Sequence, residues 1–333
     1  MLRSHLRRRR MVGSPPGAPA PFIVGVGRSG TTLLRMMLDA HPRLAIPPET
    51  HFVPAVIAAF WRLRVTPERV LEAMRSGERT GWPDSGLDEA TMLARLRAIK
   101  PLNAPDALRT FYRLYAERHG KERWGDKTPH YVTALPRIGR ALPEARFVHV
   151  IRDGRDVALS TNRRLVELRG SRPVPVERMA KRWRHRILTA RGVPQVADRY
   201  LEVRYEDLVL DTEPTLRRVC EFIELGFDAA MLAYHERAAE RLQEMNRERR
   251  RGPRRALSGE ERMQAHAMTT KPPQPERVEA WRTEMPPADR REFEAIAGDL
   301  LAELGYEVGE PADPPRAGTP DPAGAAADGG LPS

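Results

Sequence analysis

Chemistry in this chain gathers first at Gly25-Val26-Gly27-Arg28-Ser29-Gly30-Thr31-Thr32, small donor-rich residues around one arginine. Pro21-Phe22-Ile23-Val24 before it reads as a buried strand, and Leu33-Leu34-Arg35 after it as the start of a helix. A strand, a glycine turn and a helix N-terminus aim successive backbone N–H groups at a bound phosphate. Gly25 and Gly30 keep the spacing of a nucleotide-binding G-x4-G-K-[ST] loop, but Thr31 stands where that loop needs lysine. Kinases and ATPases use that lysine to hold the β- and γ-phosphates. Here the nearest cation, Arg28, lies inside the loop, which predicts an oxyanion cradle for something other than a transferred γ-phosphate.

Arg146-Phe147-Val148-His149-Val150-Ile151-Arg152-Asp153-Gly154 repeats the strand–turn–helix design. Asp153 can cap the following helix and Asp156 can support its first turn. Taken alone, this is a capped helix with arginines in salt bridges. Ser160, however, lies two helical turns beyond Asp153 on the same side, and Arg164 one turn further. Arg152, Ser160 and Arg164 can therefore converge on one dianionic group, giving two anion sites at two strand ends.

The run Arg28-Ser29-Gly30-Thr31-Thr32, with Leu38-Asp39-Ala40-His41-Pro42 and Glu49-Thr50, resembles the phosphosulfate loop of sulfotransferases that use 3′-phosphoadenosine 5′-phosphosulfate (PAPS). Its Arg28 form, where most cytosolic members carry lysine, is most similar to tyrosylprotein sulfotransferases and their bacterial relatives. The likeness runs in patches from about Pro21 to Tyr306. It implies that Arg28, Ser29, Gly30, Thr31 and Thr32 hold the phosphosulfate. It also implies that Arg152, Ser160 and Arg164 hold the 3′-phosphate, and that Tyr205 touches the nucleotide. Glu49, 21 residues after Arg28, matches the family's base for the acceptor hydroxyl; without the match it reads as a loop carboxylate capping a helix. Lys127, in Trp124-Gly125-Asp126-Lys127-Thr128-Pro129, resembles the family's contact to the transferring sulfuryl group. Arg28 would neutralise the departing phosphate. Lys271 resembles a late basic contact that closes over PAPS, and Ser258, more weakly, a sulfonate contact. His51 and His130 fall near the expected site, while His149 reads as a core residue and His41 as the end of the first helix. An unperturbed glutamate is a weak base, so Glu49 is expected to be raised by burial or helped by neighbouring donors.

These residues need a scaffold of short strands at Phe22–Val26, Arg146–Ile151 and Leu201–Arg204. Helical patterns fill 31–40, 67–76, 88–99, 105–118, 131–141, 154–166, 176–191, 213–223, 228–245 and 288–304. Buried strands alternating with helices predict a P-loop-like, three-layer α/β fold with a mostly parallel central sheet, and ligands at the carboxyl ends of its strands. One sulfotransferase domain is expected over 21–308. It sits between an Arg- then Pro/Gly-rich tail at 1–20 and a Pro/Gly/Ala-rich tail at 309–333, neither able to bury a core.

With 333 residues, 41% of them hydrophobic and 30% charged, the chain can build a sizeable core and stay soluble. Its net charge of +11 suits polyanionic ligands. The arginines cluster at positions 3–10 and 237–255 without aromatic residues between them, so nucleic acid is not expected. The second cluster reads as a solvated helix face leading into a loop. Cys220, the one cysteine, excludes an internal disulfide and reads as a buried structural thiol. No His/Asp/Glu cluster has metal-ligand spacing, and the resemblance implies no metal. The longest apolar stretch, Val53 to Trp61, is too short to span a bilayer. Animal members of the tyrosylprotein branch are anchored in the Golgi membrane; this chain shows no such anchor, so a cytoplasmic protein is expected. The implied partners are PAPS and a hydroxyl-bearing acceptor (tyrosine, carbohydrate, lipid or small metabolite), and a homodimer stays open. Two other readings share the fold class: a small-molecule P-loop kinase, and a non-catalytic module binding nucleotides or polyanions.

Overall fold

The computed structural model describes residues 13–61, 65–77, 79–250 and 256–309. Its main sheet contains β1 (Ala20–Gly25), β4 (Asp126–Lys127), β5 (Ala145–Ile151) and β6 (Tyr200–Arg204), in the order β4-β1-β5-β6 and parallel throughout. Two-residue strands form two lesser pairs: β2 (Leu44–Ala45) parallel to β3 (Arg123–Trp124), and β7 (Arg249–Arg250) antiparallel to β8 (Ala256–Leu257). The expected three-layer α/β arrangement is what the chain adopts.

Side-chain alternation along the buried strands builds the layers. Phe22, Val24 and Phe147 enter one core with helix α2 (Ala104–Arg118). Ile23, Val148 and Val150 point the other way, into a core with helix α1 (Thr31–Asp39). A third cluster joins α3 (Gly154–Arg169), α4 (Val176–Arg191) and a C-terminal helix, through Val157, Trp183, Ile187, Phe293 and Leu301. Cys220 is buried against Met231, as a structural thiol. His149 is likewise a core residue, hydrogen-bonded to Tyr200, and burial lowers its pKa to about 4.

All three expected strands are present within two residues of their predicted ends. Tyr131–Ala141 divides into a 3-10 turn (Pro129–Thr133) and a helix (Leu135–Ala141), and the 228–245 pattern narrows to a helix over His235–Leu242 between short 3-10 turns. The solvated face expected for 237–255 needs correction. Arg241 is half-buried, donating to Asp39 at 2.7 Å and stacking its charge over Tyr115. With Arg35 and Glu244 it forms an internal ion cluster that fastens this segment to α1 and α2. Residues 1–12, 251–255 and 310–333, which include most of both expected tails, lie outside the described residues. Of the first tail, Ser14 is held in place, its N–H and hydroxyl both donating to Asp106.

Candidate active site

The parallel sheet delivers the carboxyl ends of β1 and β5 side by side, with Gly25 in register with Val150. After β1 the chain turns sharply: Arg28 has φ 77° and Gly30 φ 92°, the left-handed region that side chains resist. Ser29 N–H closes the turn on the Val26 carbonyl at 3.2 Å, and α1 begins at Thr31. Gly30 is needed for a second reason. A Cβ there would stand 2.3 Å from the Tyr205 ring, which covers the loop from the helix Tyr205–Leu210 (α5).

Two guanidinium groups meet at this junction. Arg152, at the end of β5, points an Nη1 at the Arg28 carbonyl (3.5 Å) and donates to the Arg277 carbonyl at 2.6 Å. It also pairs with Asp156 at 3.3 Å and lies 4.4 Å from the centre of the Tyr205 ring. Arg28 Nε donates to Ser160 Oγ at 3.1 Å, and its Nη1 to the Ala265 carbonyl at 3.3 Å. Burial and then the neighbouring Arg152 charge lower the pKa of Arg28. The buried polar atoms without a protein partner include one at each strand end: Ser29 Oγ in the loop and Arg152 Nε after β5. An unpaired buried donor is costly, and a ligand carrying an anionic group at each strand end would satisfy both.

Glu49 faces this cationic floor. Its Oε1 accepts from Lys127 Nζ at 3.0 Å and its Oε2 from His51 Nε2 at 2.8 Å. Lys127 Nζ also lies 3.4 Å from Thr32 Oγ1, tying Glu49 to the phosphate loop. Burial alone would raise the Glu49 carboxyl. Lys127 and the His51 hydrogen bond outweigh it and hold the group well below its usual range. Of the two expected ways of aiding Glu49, the site uses neighbouring donors, Lys127 and His51, and not a raised pKa: it makes the group a firmly ionised carboxylate. Behind it, Thr50 donates to buried Asp126 (2.7 Å), which also accepts from Tyr112 (2.9 Å). Tyr131 bonds Thr50 at 2.8 Å and takes the Val53 N–H at 3.0 Å. This network pins the Glu49 loop to β4, the strand that carries Lys127.

Of the residues predicted from sequence, Arg28, Gly30, Thr31, Thr32, Glu49, Arg152, Arg164 and Tyr205 line one cavity of about 570 Å³, a size ordinary for small-molecule sites. Lys127, Ser29 and Ser160 stand directly behind its wall. Ser160 meets Arg28 rather than Arg152, because the Arg28 side chain crosses from one strand end to the other. Lys271 does not join them: it is exposed, and its backbone is what is engaged, the carbonyl accepting from Tyr234 and the N–H donating to the Met268 carbonyl. Its loop instead turns Arg277 into the cavity. Ser258 caps the helix Gly259–Gln264 (α6) in a capping box with Glu261, away from the cavity. Sequence reasoning missed Arg277 and His266, which stand in a stretch with no periodic signal, and the arginines Arg79, Arg178 and Arg182 at the cavity's other end. Near these last, His130 is lowered to about 4 by burial and by Arg186.

A parallel sheet with cationic glycine turns at the ends of two adjacent strands defines an α/β protein whose site suits sulfate-like or phosphate-like oxyanions. The sulfotransferase family model matches residues 19–229, and the chain belongs to that family. It is 29% identical over 307 residues to protein-tyrosine sulfotransferase 1 of Danio rerio, covering 91% of this chain and 76% of that one. The corresponding Homo sapiens protein is 27% identical over 308 residues, covering 91% and 73%. Among solved structures, the sulfotransferase domain of the Synechococcus PCC 7002 olefin synthase superposes with a TM-score of 0.57 at 24% identity. That match covers 89% of this chain and 98% of the domain. The sulfotransferase domain of the curacin biosynthetic pathway gives 0.55 at 21%, covering 89% and 100%. The chain is thus a sulfotransferase enzyme, and its chemistry is sulfuryl transfer. These relatives also correct the expected cytoplasmic location. They are protein-tyrosine sulfotransferases along nine-tenths of this chain, a branch whose animal members work in the Golgi. Among the described residues no helix is long and apolar enough to cross a membrane, and that fact carries no compartment with it.

Proposed function

We propose that the chain transfers the sulfuryl group of PAPS to an acceptor hydroxyl by direct in-line displacement, with no covalent enzyme intermediate. The observation that carries this reading is the shared cavity at the ends of β1 and β5, where Arg28 and Arg152 stand side by side with an orphaned donor at each strand end. The donor of the reaction bears anionic groups at both ends of an adenosine, which suits that pairing. The loop 27–32 and Lys127 would hold the phosphosulfate end; Arg152 and Arg164 would hold the 3′-phosphate, with Ser160 beside them and Tyr205 against the nucleotide.

In the reaction the acceptor oxygen forms a bond to sulfur as the bond from sulfur to the bridging oxygen breaks. Arg28 is placed to stabilise the charge left on the bisphosphate, and Lys127 the charge on the sulfuryl oxygens. Glu49 accepts the acceptor's O–H and draws its proton. The names of the relatives make a tyrosyl hydroxyl the first acceptor to test.

Thermal unfolding with adenosine 3′,5′-bisphosphate, compared with ATP and magnesium, tests the donor assignment. A ligand at 100 times its Kd adds about 2.7 kcal/mol of stability. The bisphosphate is expected to raise Tm and ATP to leave it unchanged; the reverse would favour a kinase. Transfer of radiolabelled sulfate from PAPS to a tyrosyl peptide, slowed by about 10²- to 10⁴-fold in Glu49→Gln, tests the chemistry.

A further inference from the structure

A base flanked by Lys127 and His51 can take a hydrogen bond but is poorly suited to keep a proton. Each contact favours the ionised form, and protonation at Glu49 would weaken both. The proton released by each turnover needs a second holder. Among the described residues that line the cavity outside the expected set, His266 is the one imidazole. It follows α6 on the segment that crosses the phosphate loop, and the preceding residue anchors that crossing through the Ala265 carbonyl to Arg28 at 3.3 Å. The charged groups that act on the imidazole come from four separate elements: Lys127 of β4, Arg164 of α3, Arg28 of the phosphate loop and Glu49 of the loop after β2.

We propose that His266 is a catalytic residue of this reaction, the donor-dependent resting place of the acceptor's proton. The inference rests on the reading of the cavity as a PAPS site and deepens it. In the free enzyme, burial and three cations hold the imidazole neutral, well below its ordinary range, with only Glu49 opposing them. PAPS would bring several negative charges against Arg28, Arg164 and Lys127 and cancel their repulsion, so that the ring gains affinity for a proton when the donor is in place. The acceptor O–H proton passes to Glu49 as the new S–O bond forms, and from Glu49 across the shared cavity to the His266 imidazole. The electron pair of the broken S–O bond stays on the bisphosphate beside Arg28. Departure of the anionic product restores the cationic surroundings, and the imidazolium returns its proton to solvent. The cycle then closes with no net change in the enzyme.

Imidazole NMR of the full-length protein, with His266→Gln supplying the assignment, tests this directly. The His266 resonance is expected to titrate well below an ordinary histidine in free protein, and its pKa to rise by about one unit or more with saturating adenosine 3′,5′-bisphosphate. His266→Gln should bind the bisphosphate with unchanged Kd while its kcat for sulfuryl transfer falls by about 10²-fold. A His266 pKa that does not move with bisphosphate, or a His266→Gln enzyme with wild-type kcat, overturns the proposal. Loss of activity in His266→Ala but not in His266→Gln also overturns it, since glutamine preserves hydrogen bonding without titrating. Failure of the bisphosphate to bind wild type would instead sink the donor assignment, a separate outcome read in the same experiment.

Discussion

Glu49 shows how far a residue type can mislead about its own chemistry. A carboxylate chosen as a base suggests a raised pKa, yet its two nearest donors drive it the other way. Because its folded-state pKa is depressed, its ion pairs contribute stability above the unfolded value of about 4.3. That contribution is lost as pH falls through the lower folded value. The stability difference between wild type and Glu49→Gln, read from urea midpoints, should be constant from pH 8 to about pH 5 and shrink at lower pH. In kinetics, Glu49→Gln should lower kcat by about 10²- to 10⁴-fold with little change in bisphosphate affinity; an equal loss of affinity would make Glu49 a binding residue. Arg152 makes a different demand. It uses its fork on two carbonyls and Asp156 while stacking on Tyr205, so lysine cannot replace it. Arg152→Lys should weaken bisphosphate binding by roughly 2 kcal/mol, about 30-fold in Kd by calorimetry. Most of these residues were legible in the sequence because strand–turn–helix motifs fix their neighbours within a few positions. Lys271 and Ser258 were not, since a long irregular segment separates them from any strand and spacing there stops reporting position.

At the level of elements, the phosphate loop is the most constrained. Gly30 needs a left-handed backbone and has the Tyr205 ring where a side chain would begin. Gly30→Ala should cost about 1–3 kcal/mol from strain, and more if Tyr205 cannot move. Chemical denaturation would show it, and an unchanged midpoint would mean that the loop and α5 are not packed as described. β4 is the element that sequence could not reveal. Two residues, Asp126 and Lys127, have no periodicity to detect, yet they complete the sheet edge and aim Lys127 at the centre. Their position depends on the buried Thr50–Asp126–Tyr112 network. Thr50→Val, which leaves Asp126 short of a donor, should destabilise the fold by about 1–3 kcal/mol. It should lower kcat more than it raises the Kd for bisphosphate, because it loosens the Glu49–Lys127 side of the site and leaves the β5 side intact. The longer strands and most helices were readable because each buries one face with a clear period, whereas the helix Val53–Ala59 was passed over as a mere apolar run.

For the molecule as a whole, the surplus of positive charge serves encounter rather than fold. A net charge of +11 and a cavity floored with arginines should draw a polyanionic donor from a distance. The association rate of adenosine 3′,5′-bisphosphate in stopped flow should therefore fall steeply as salt rises past 0.1 M, where the Debye length is about 10 Å. A salt-independent rate would confine the electrostatics to short-range contacts. The overall fold class follows from the alternation of strands and helices. The acceptor's identity does not, because the cavity end near Arg79, Arg178 and Arg182 is assembled from residues about a hundred positions apart with no motif between them. The most direct measurement is calorimetric titration of wild type and Arg152→Ala with adenosine 3′,5′-bisphosphate and with adenosine 5′-phosphate. Wild type should prefer the bisphosphate by tenfold or more, about 1.4 kcal/mol, and Arg152→Ala should bind the two nearly alike. Equal binding of both nucleotides by wild type would contradict the claim that the ends of β1 and β5 grip the same nucleotide.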